Sequence, residues 1–507
     1  MTRIAALQAE NRQLTERVFK LEEELALARL HRFAPRSEKH VDRIFNEAEQ
    51  VADEDEADSA EGDVIGLPET GLPPVKTETG KKRGRRPLPE NLPRERVEYD
   101  LPDDQKSCPC CRSRMHRMGE TVTEQLHIEV KAKVLQNVRF KYACRNCDRT
   151  GINTPVVTAP MPAQPLPGSI ATASTLAFAL VHKYVDGTPL YRLAQAFERA
   201  GVPVSRGALG HWVIGSSEKH LSRIYDALKL RLRSQSIIHG DETTVQVLKE
   251  KDRQATSTAY MWAYRSGEDS DEPIVLLDYQ PGRGQMYPQA FLGAYRGILM
   301  SDGYAAWRTL EGATHLGCMA HSRRRFVEAL RTRKKGGGPP EQALKFFEQL
   351  YRVERQARDK KLEHGQTQTD CILRFRQKHS LPILNALKQW LDEIKPKVLP
   401  DSKLGDAVSY TLNQWDYLKR YTEGGRMPID NNLLEVFATG RKSWLFSDTV
   451  GGARASAVVY SLMLTCRAAR IEPLAYLRHV LTQLPQRADN ADISDLLPFN
   501  FQTAAAL

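Results

Sequence analysis

The sequence predicts a multidomain α+β protein in which several small modules precede an α/β core interrupted by helices. Its 507 residues exceed what one hydrophobic core organises. From 235 onward the apolar period shortens into strands, and a long charged, helix-patterned stretch over 322–420 then breaks the strand pattern. Ahead of that core come heptads, paired cysteines and a helical hairpin, each with its own composition.

Charge and cysteine usage narrow the function classes. Lys and Arg number 73 against 63 Asp and Glu, a net charge of +10. This favours an anionic partner, with nucleic acid first. No run of eighteen apolar residues occurs and the N-terminus lacks a signal-peptide core, so the expectation is a soluble, unexported protein with no membrane partner. Five of the eight cysteines fall between 108 and 147, which does not fit a secreted disulfide framework and points to a reducing cytoplasm.

Residues 1–35 read as heptads. Ile4, Asn11, Val18 and Leu25 fall at a, and Leu7, Leu14, Leu21 and Ala28 at d. A lone Asn at an a position sets register and dimer state in parallel coiled coils; the alternative is an amphipathic helix packed on its own chain. Residues 36–80 carry the acidic, Pro/Gly-punctuated runs "EAEQVADEDEADSAEGD" and "LPETGLPPVKTETG", a linker composition that cannot bury enough apolar surface to fold. A basic arm follows at 81–95, where "KKRGRRPLP" sets Arg83, Arg85 and Arg86 around Gly84 and Pro87. Such an arm suits a narrow A·T-rich minor groove, a solvated linker being the alternative.

The next module, 96–160, holds Cys108-Pro-Cys110-Cys111 and Cys144-Arg-Asn-Cys147 around β-alternating sequence. Cys108, Cys111, Cys144 and Cys147 can present four thiolates tetrahedrally to a structural Zn²⁺, with Cys110 a surplus competitor. Over 161–230, "PLYRLAQAFERAGVPVSRGALGHWV" has helix-turn-helix grammar. A first helix carries Leu190, Leu193, Ala194 and Phe197 on one face and Gly201 breaks it. Ser205 can cap a second helix with Leu209, Trp212 and Val213 inward. Ser205, Arg206 and His211 are then the candidates to meet a DNA major groove; a generic helical hairpin is the alternative.

The core opens with three strands, "SIIHGDETTVQVL", "AYMWAYRSG" and "PIVLLDYQPGRG". A helix across "MYPQAFLGAY", the strand "GILMSDGY", helical turns and the strand "THLGCMAH" complete it. That is the element order of an RNase H-like sheet, in which one carboxylate lies in the first strand and a second just after the fourth. Asp241 and Asp302 occupy those places. Phosphodiester cleavage and strand transfer call for two divalent cations about 3.5–4 Å apart, and Mg²⁺ takes hard oxygen ligands while keeping several waters. Glu435 is the candidate third acid, with Arg441 and Lys442 after it to hold phosphates. "HSRRRF" places His321, Arg323, Arg324 and Arg325 at the start of the helical stretch, as a DNA-backbone contact or a solvated helix start. Each acid has a bland alternative: Asp241 as a strand end, Asp302-Gly303 as a plain turn, Asp430 as a helix N-cap.

Together "HGDET", "SDGYAAW", "GCMAHSRRRF", "PIDNNLLE" and "GRKSWLF" resemble the transposases of the bacterial insertion-sequence family numbered sixty-six, over nearly the whole chain. The resemblance implies a DDE-type transposase whose RNase H-like core, 231–325 and 421–465, is interrupted by a helical insertion, 326–420, and followed by a C-terminal segment, 466–507. Asp241, Asp302 and Glu435 then match the catalytic, metal-binding triad, with two Mg²⁺ or Mn²⁺ per active site. The paired cysteines match the zinc-finger-like region, 189–213 the helix-turn-helix, and His321 with Arg323 to Arg325 an "AHxRR" element suited to DNA or phosphate. The implied partners are double-stranded DNA (element ends and target), a second copy of the chain or more, and companion proteins of the same element, at the bacterial nucleoid. The C-terminal "LLPFNF" is a candidate docking tail.

One feature departs from the family pattern. Only Val436, Phe437, Ala438 and Thr439 separate Glu435 from the "GRK" element, as though four residues were missing. Four residues are about 1.1 helical turns, which rotates the following face by ~40° and draws it back ~6 Å. The alternative function is therefore a catalytically impaired, transposase-derived DNA-binding protein.

Overall fold

A computed structural model of the chain describes residues 2–33, 132–142, 156–333, 338–360, 367–431 and 447–502. The elements below belong to one compact unit, 1–57 with 137–507; of the other unit, 58–136, only 132–136 is described, as exposed chain without regular secondary structure. The basic arm, the four candidate zinc cysteines, Glu435, Arg441 and Lys442 lie outside the described residues.

Helix α1 (Thr2–Phe33) runs unbroken, as the heptads require. Leu14, Val18, Leu21 and Leu25, consecutive d and a positions, are all more than half exposed. The helix meets the rest of the unit through polar groups instead. Lys20 Nζ lies 3.0 Å from Asp401, and Glu23 accepts from the Lys403 backbone amide at 3.0 Å. A two-residue antiparallel ladder, β1 (Lys141–Tyr142) with β2 (Val157–Thr158), precedes the main helical layer.

That layer comprises α2 (Ala173–Tyr184), α3 (Leu190–Arg199), α4 (Arg206–Ser216) and α5 (Ser222–Arg233), a π turn joining the last two. The hairpin of α3 and α4 follows the sequence reading. Gly201 takes φ 79°, which ends α3 where a side chain would be strained. The Ser205 hydroxyl accepts from Ala208 N at 3.1 Å and caps α4. Leu209, Trp212 and Val213 are buried, while Arg206 and His211 face solvent.

The sheet contains β3 (Ile237–Lys249), β4 (Thr258–Ser266), β5 (Val275–Gln280), β6 (Ile298–Ser301) and β7 (Thr314–Gly317) in the order β5-β4-β3-β6-β7. β3, β4 and β5 pair antiparallel; β6 and β7 run parallel to β3. Since β5 and β6 lie on opposite sides of the β3–β4 pair, the chain must cross the sheet between them, and α6 (Met286–Leu292) makes that crossing. A last strand, β8 (Ser447–Thr449), joins the far end of β3 in parallel. One helical turn, α7 (Ala305–Arg308), links β6 to β7.

After β7 come α8 (Met319–Arg331), α9 (Pro339–Asp359), α10 (Gln368–Phe375), α11 (Leu381–Ile394), α12 (Lys403–Asn413) and α13 (Trp415–Lys419). They enclose their own core, with Phe326, Phe347, Leu350, Leu387 and Leu391 fully buried. Within it Arg376 and Glu354, both almost wholly buried, pair at 2.6 Å. The same guanidinium donates to the carbonyls of Tyr421, Gly424 and Met427 at 3.0, 2.6 and 2.8 Å. Arg376 thereby fixes the segment on which the chain returns to the sheet. The edge strand β5 is covered by α14 (Val450–Ala468), where Ser461 and Thr465 accept from the amides of Leu277 and Val275 at 2.8 and 3.0 Å. Helix hydroxyls thus satisfy strand donors that would otherwise offer a template for aggregation.

Two expectations are corrected. The strand read across "THLGCMAH" stops at Gly317, and Met319, Ala320 and His321 form the first turn of α8. The apolar Cys-Met-Ala prolongs a strand-like run, but Met319 N donates instead to Ile429 O at 3.1 Å. The "LLPFNF" segment is no free docking tail. After α15 (Pro473–Gln483), Leu496 and Leu497 are buried in the main core and Leu496 O accepts from the buried Tyr476 hydroxyl at 2.8 Å.

Candidate active site

The candidate site lies where β3, β6 and the start of α8 converge. β3 and β6 run parallel, with His239 opposite Met300, so Asp241 within β3 and Asp302 just past the end of β6 come side by side although 61 positions apart. Asp241 Oδ1 accepts from its neighbour's amide, Glu242 N, at 2.8 Å, and Asp302 Oδ1 accepts from Tyr304 N at 2.9 Å. Gly303 holds φ 90° in the turn after Asp302, and a Cβ there would come 2.6 Å from the Gln414 side chain. Tyr410 of α12 donates its hydroxyl to the Asp302 carbonyl, tying the helical region to the turn.

His321 completes the cluster. One ligand atom each from Asp241, Asp302 and His321 can be chosen so that all lie within 4.8 Å of one another. Its imidazole is pulled down to about pKa 4 by burial and by Arg324, against the opposing pull of Asp302, and so is neutral at physiological pH. The adjacent arginines of α8 face outward: Arg324 and Arg325 are exposed, with Arg325 stacked 4.1 Å over the Tyr410 ring, and Arg323 is half-buried.

Behind the aspartates lies a second acid. Glu242 accepts from Trp307 Nε1 at 2.8 Å and from Arg283 Nε at 2.8 Å. Burial and the nearby Asp302 raise its pKa to about 7, although Arg283 opposes the shift. Arg283 stacks 3.8 Å above the Tyr304 ring, so one network joins the residues after both aspartates. Gly240 makes this packing possible, because a Cβ there would lie 2.6 Å from Trp307 ring carbons.

The chain's return is clamped to the same strand. Asn431, 3% exposed, accepts from His239 Nδ1 at 2.9 Å and donates to Gly240 O at 3.0 Å. Its backbone amide donates to Cys318 Sγ at 3.2 Å. Asp430 turns the other way and accepts from the buried Tyr351 hydroxyl of α9 at 2.7 Å. His239, pulled to about pKa 4 mainly by burial, is neutral and hence a fixed Nδ1–H donor.

Four family models match the chain. Residues 168–455, more than half of it, match the transposase IS66 family. The chain belongs to the IS66 transposase family. Residues 461–499 match the IS66 C-terminal element, 105–148 the zinc-finger binding domain of transposase IS66, and 20–97 the transposase C of IS166 homeodomain. Three uncharacterised Sinorhizobium fredii proteins are similar along most of their length. y4jD is 31% identical over 82% of this chain and 81% of its own, y4qI 30% over 86% and 83%, and y4hP 28% over 85% and 79%.

Membership supports DNA as a partner and points to a divalent metal. The zinc-finger match spans Cys108, Cys111, Cys144 and Cys147 and points to structural zinc. For the divalent metal, the cluster of Asp241, Asp302 and His321 fits: two carboxylates supply hard oxygens, and the neutral imidazole adds a nitrogen within reach. Among the described residues no helix is long and apolar enough to cross a membrane. The sequence reading brought Asp241 and Asp302 together but assigned His321 to DNA, and it missed Glu242, His239 and the Asn431 clamp. Glu242 and His239 flank Asp241 within "HGDET", and that clustering was the available signal.

Proposed function

We propose that this IS66 transposase is a DDE enzyme with an RNase H-like core interrupted by a helical insertion, which cuts DNA at its element's ends and joins the freed 3′-hydroxyls to target DNA. The observation that carries the reading is the convergence of Asp241, within β3, and Asp302, just past the end of the adjacent parallel strand β6. Glu435, four residues beyond the Asn431 clamp, is proposed as the third acid. Bound Mg²⁺ or Mn²⁺, two per site, would stabilise the attacking and leaving oxygens of an in-line displacement at phosphorus. Water cleaves first, leaving a 3′-hydroxyl, which then attacks a target phosphodiester and expels the target strand's own 3′-oxygen.

The remaining residues bind and orient DNA. Arg206 and His211, exposed on the capped α4, suit a major groove. Arg323 and Arg324 on α8, with Arg441 and Lys442 downstream, are proposed to hold phosphates, and Arg83, Arg85 and Arg86 to enter a minor groove. The exposed a/d stripe of α1 supports pairing with a second copy, which places two element ends in one complex. Companion proteins of the element complete the proposed assembly at the nucleoid.

The short spacing after Glu435 favours a second reading, a chain that binds DNA without cutting it. Nicking of a supercoiled plasmid carrying the element's ends separates the two. Metal-dependent nicking that disappears in Asp302→Ala supports the enzyme. Nicking only after four residues are restored behind Glu435 supports the binding-only descendant.

A further inference from the structure

The helix that starts after β7 carries a residue that the triad does not use. We infer that His321 ligates the same divalent cation as Asp241 and Asp302, making a mixed oxygen–nitrogen site that takes Mn²⁺ in preference to Mg²⁺. The inference rests on the proposed metal role of the two aspartates and adds a ligand to it.

Three observations carry it. The first is reach. Ligands on opposite sides of a six-coordinate ion stand about 4.2 Å apart, twice a bond of ~2.1 Å. The three candidate ligand atoms lie within 4.8 Å of one another, so rotamer-scale adjustment closes the shell. The second is availability. His321 Nδ1 is buried and has no hydrogen-bond partner among the described residues, an arrangement that wastes a polar atom unless something binds there. The third is rigidity. Met319 N is held by Ile429 O at 3.1 Å, and the fully buried Ser322 hydroxyl lies 2.6 Å from Thr411 Oγ1, so the residues on both sides of His321 are fixed before any ion arrives.

The chemistry of the donor set sets the preference. Mg²⁺ strongly favours oxygen and holds its waters, whereas Mn²⁺ accepts imidazole beside carboxylates. A nitrogen in the shell therefore penalises Mg²⁺ relative to Mn²⁺. Arg324 and Arg325 on the same helix are exposed, so ligation by the ring and phosphate contact by Arg324 can coexist there.

The test uses the full chain, titrated with Mn²⁺ or Mg²⁺ alone, and reads affinity by calorimetry and ¹⁴N coupling to bound Mn²⁺ by pulsed electron paramagnetic resonance. Far-ultraviolet circular dichroism and melting without metal establish that each variant is folded. Wild type is expected to show a ¹⁴N coupling that vanishes in His321→Ala, with Mn²⁺ affinity about tenfold or more lower. His321→Asp, which returns an oxygen ligand at the same place, is expected to bind both ions without the coupling and to lose the preference for Mn²⁺. Should Asp302→Asn abolish binding while His321→Ala keeps both affinity and coupling, the ligand assignment is overturned and the aspartate site stands. If wild type binds no Mn²⁺ that depends on Asp302, both the inference and the metal role beneath it fall.

Discussion

Replacing Asn431 with alanine should damage the protein more than its position in a polar motif suggests. The side chain spends both ends on β3, accepting from His239 Nδ1 and donating to Gly240 O, and it is 3% exposed. Alanine leaves a buried donor and a buried acceptor unpaired, each costing roughly 1–3 kcal/mol. Partial relaxation brings the sum to about 2–4 kcal/mol, a fall in melting temperature on the order of 5–10 °C for a domain of this size. Asn431→Asp sharpens the test. It keeps the acceptor for His239 but turns an oxygen toward the Gly240 carbonyl, so it should destabilise at least as much as alanine despite its nearly identical shape. Because the clamp sits four residues before Glu435, loss of ~1 Å of registration should also slow plasmid nicking, by up to about a hundredfold. Differential scanning fluorimetry and the nicking assay read the two effects. An Asn431→Ala protein that melts within about 1 °C of wild type and nicks at the wild-type rate would refute the reasoning.

Arg376→Met removes the guanidinium but leaves the Glu354 carboxylate and three carbonyls buried, and should cost about 3–5 kcal/mol in chemical denaturation. The double change Arg376→Met with Glu354→Leu should recover part of that loss, because it removes the stranded charge. Lys183 is pulled by burial to about pKa 8, below its value of 10.5 in the unfolded chain. The unfolded state thus binds more protons between pH 8 and 10.5, so its contribution destabilises below pH 8 and is relieved as pH rises through that window. The melting advantage of Lys183→Met over wild type should accordingly shrink from pH 7.5 to pH 10. Leu14→Glu with Leu21→Glu should abolish self-association in analytical ultracentrifugation. The same pair should shift the melting of the sheet by no more than about 1 °C, since both side chains are more than half exposed.

The strands were legible because each apolar run ends at an Asp or Gly turn, and the pairing of Asp241 with Asp302 followed from their places in strand order. The α3–α4 hairpin was legible for a similar reason: its inward residues, its cap and its breaking glycine are all local. What stayed hidden depends on contacts distant in sequence. Asn431 as a cap and Asn431 as a clamp look identical in the chain, and only the arrival of His239 from 192 residues away distinguishes them. Trp307 reaches Glu242 across 65 residues, and Arg376 meets carbonyls 45 to 51 residues on. The start of α8 was misread because Cys318, Met319 and Ala320 are apolar, a composition that suits strand and buried helix alike. His321 reads with the arginines beside it in sequence, although a ring nitrogen lies within reach of the aspartates while Arg324 and Arg325 are exposed.

The partners of β3 set a timetable for synthesis. Val247 and Lys249 pair with Ser447 and Thr449, strand residues that leave the ribosome about 200 residues later. At roughly 5–20 residues per second that interval is about 10–40 s. During it the nascent chain already carries the α3–α4 hairpin, whose cap, turn and inward residues are all local in sequence. The far end of β3, the strand that holds Asp241, therefore gains its parallel partner last. A chain that stopped within the helical region would lack β8 and leave that end of β3 without its parallel partner.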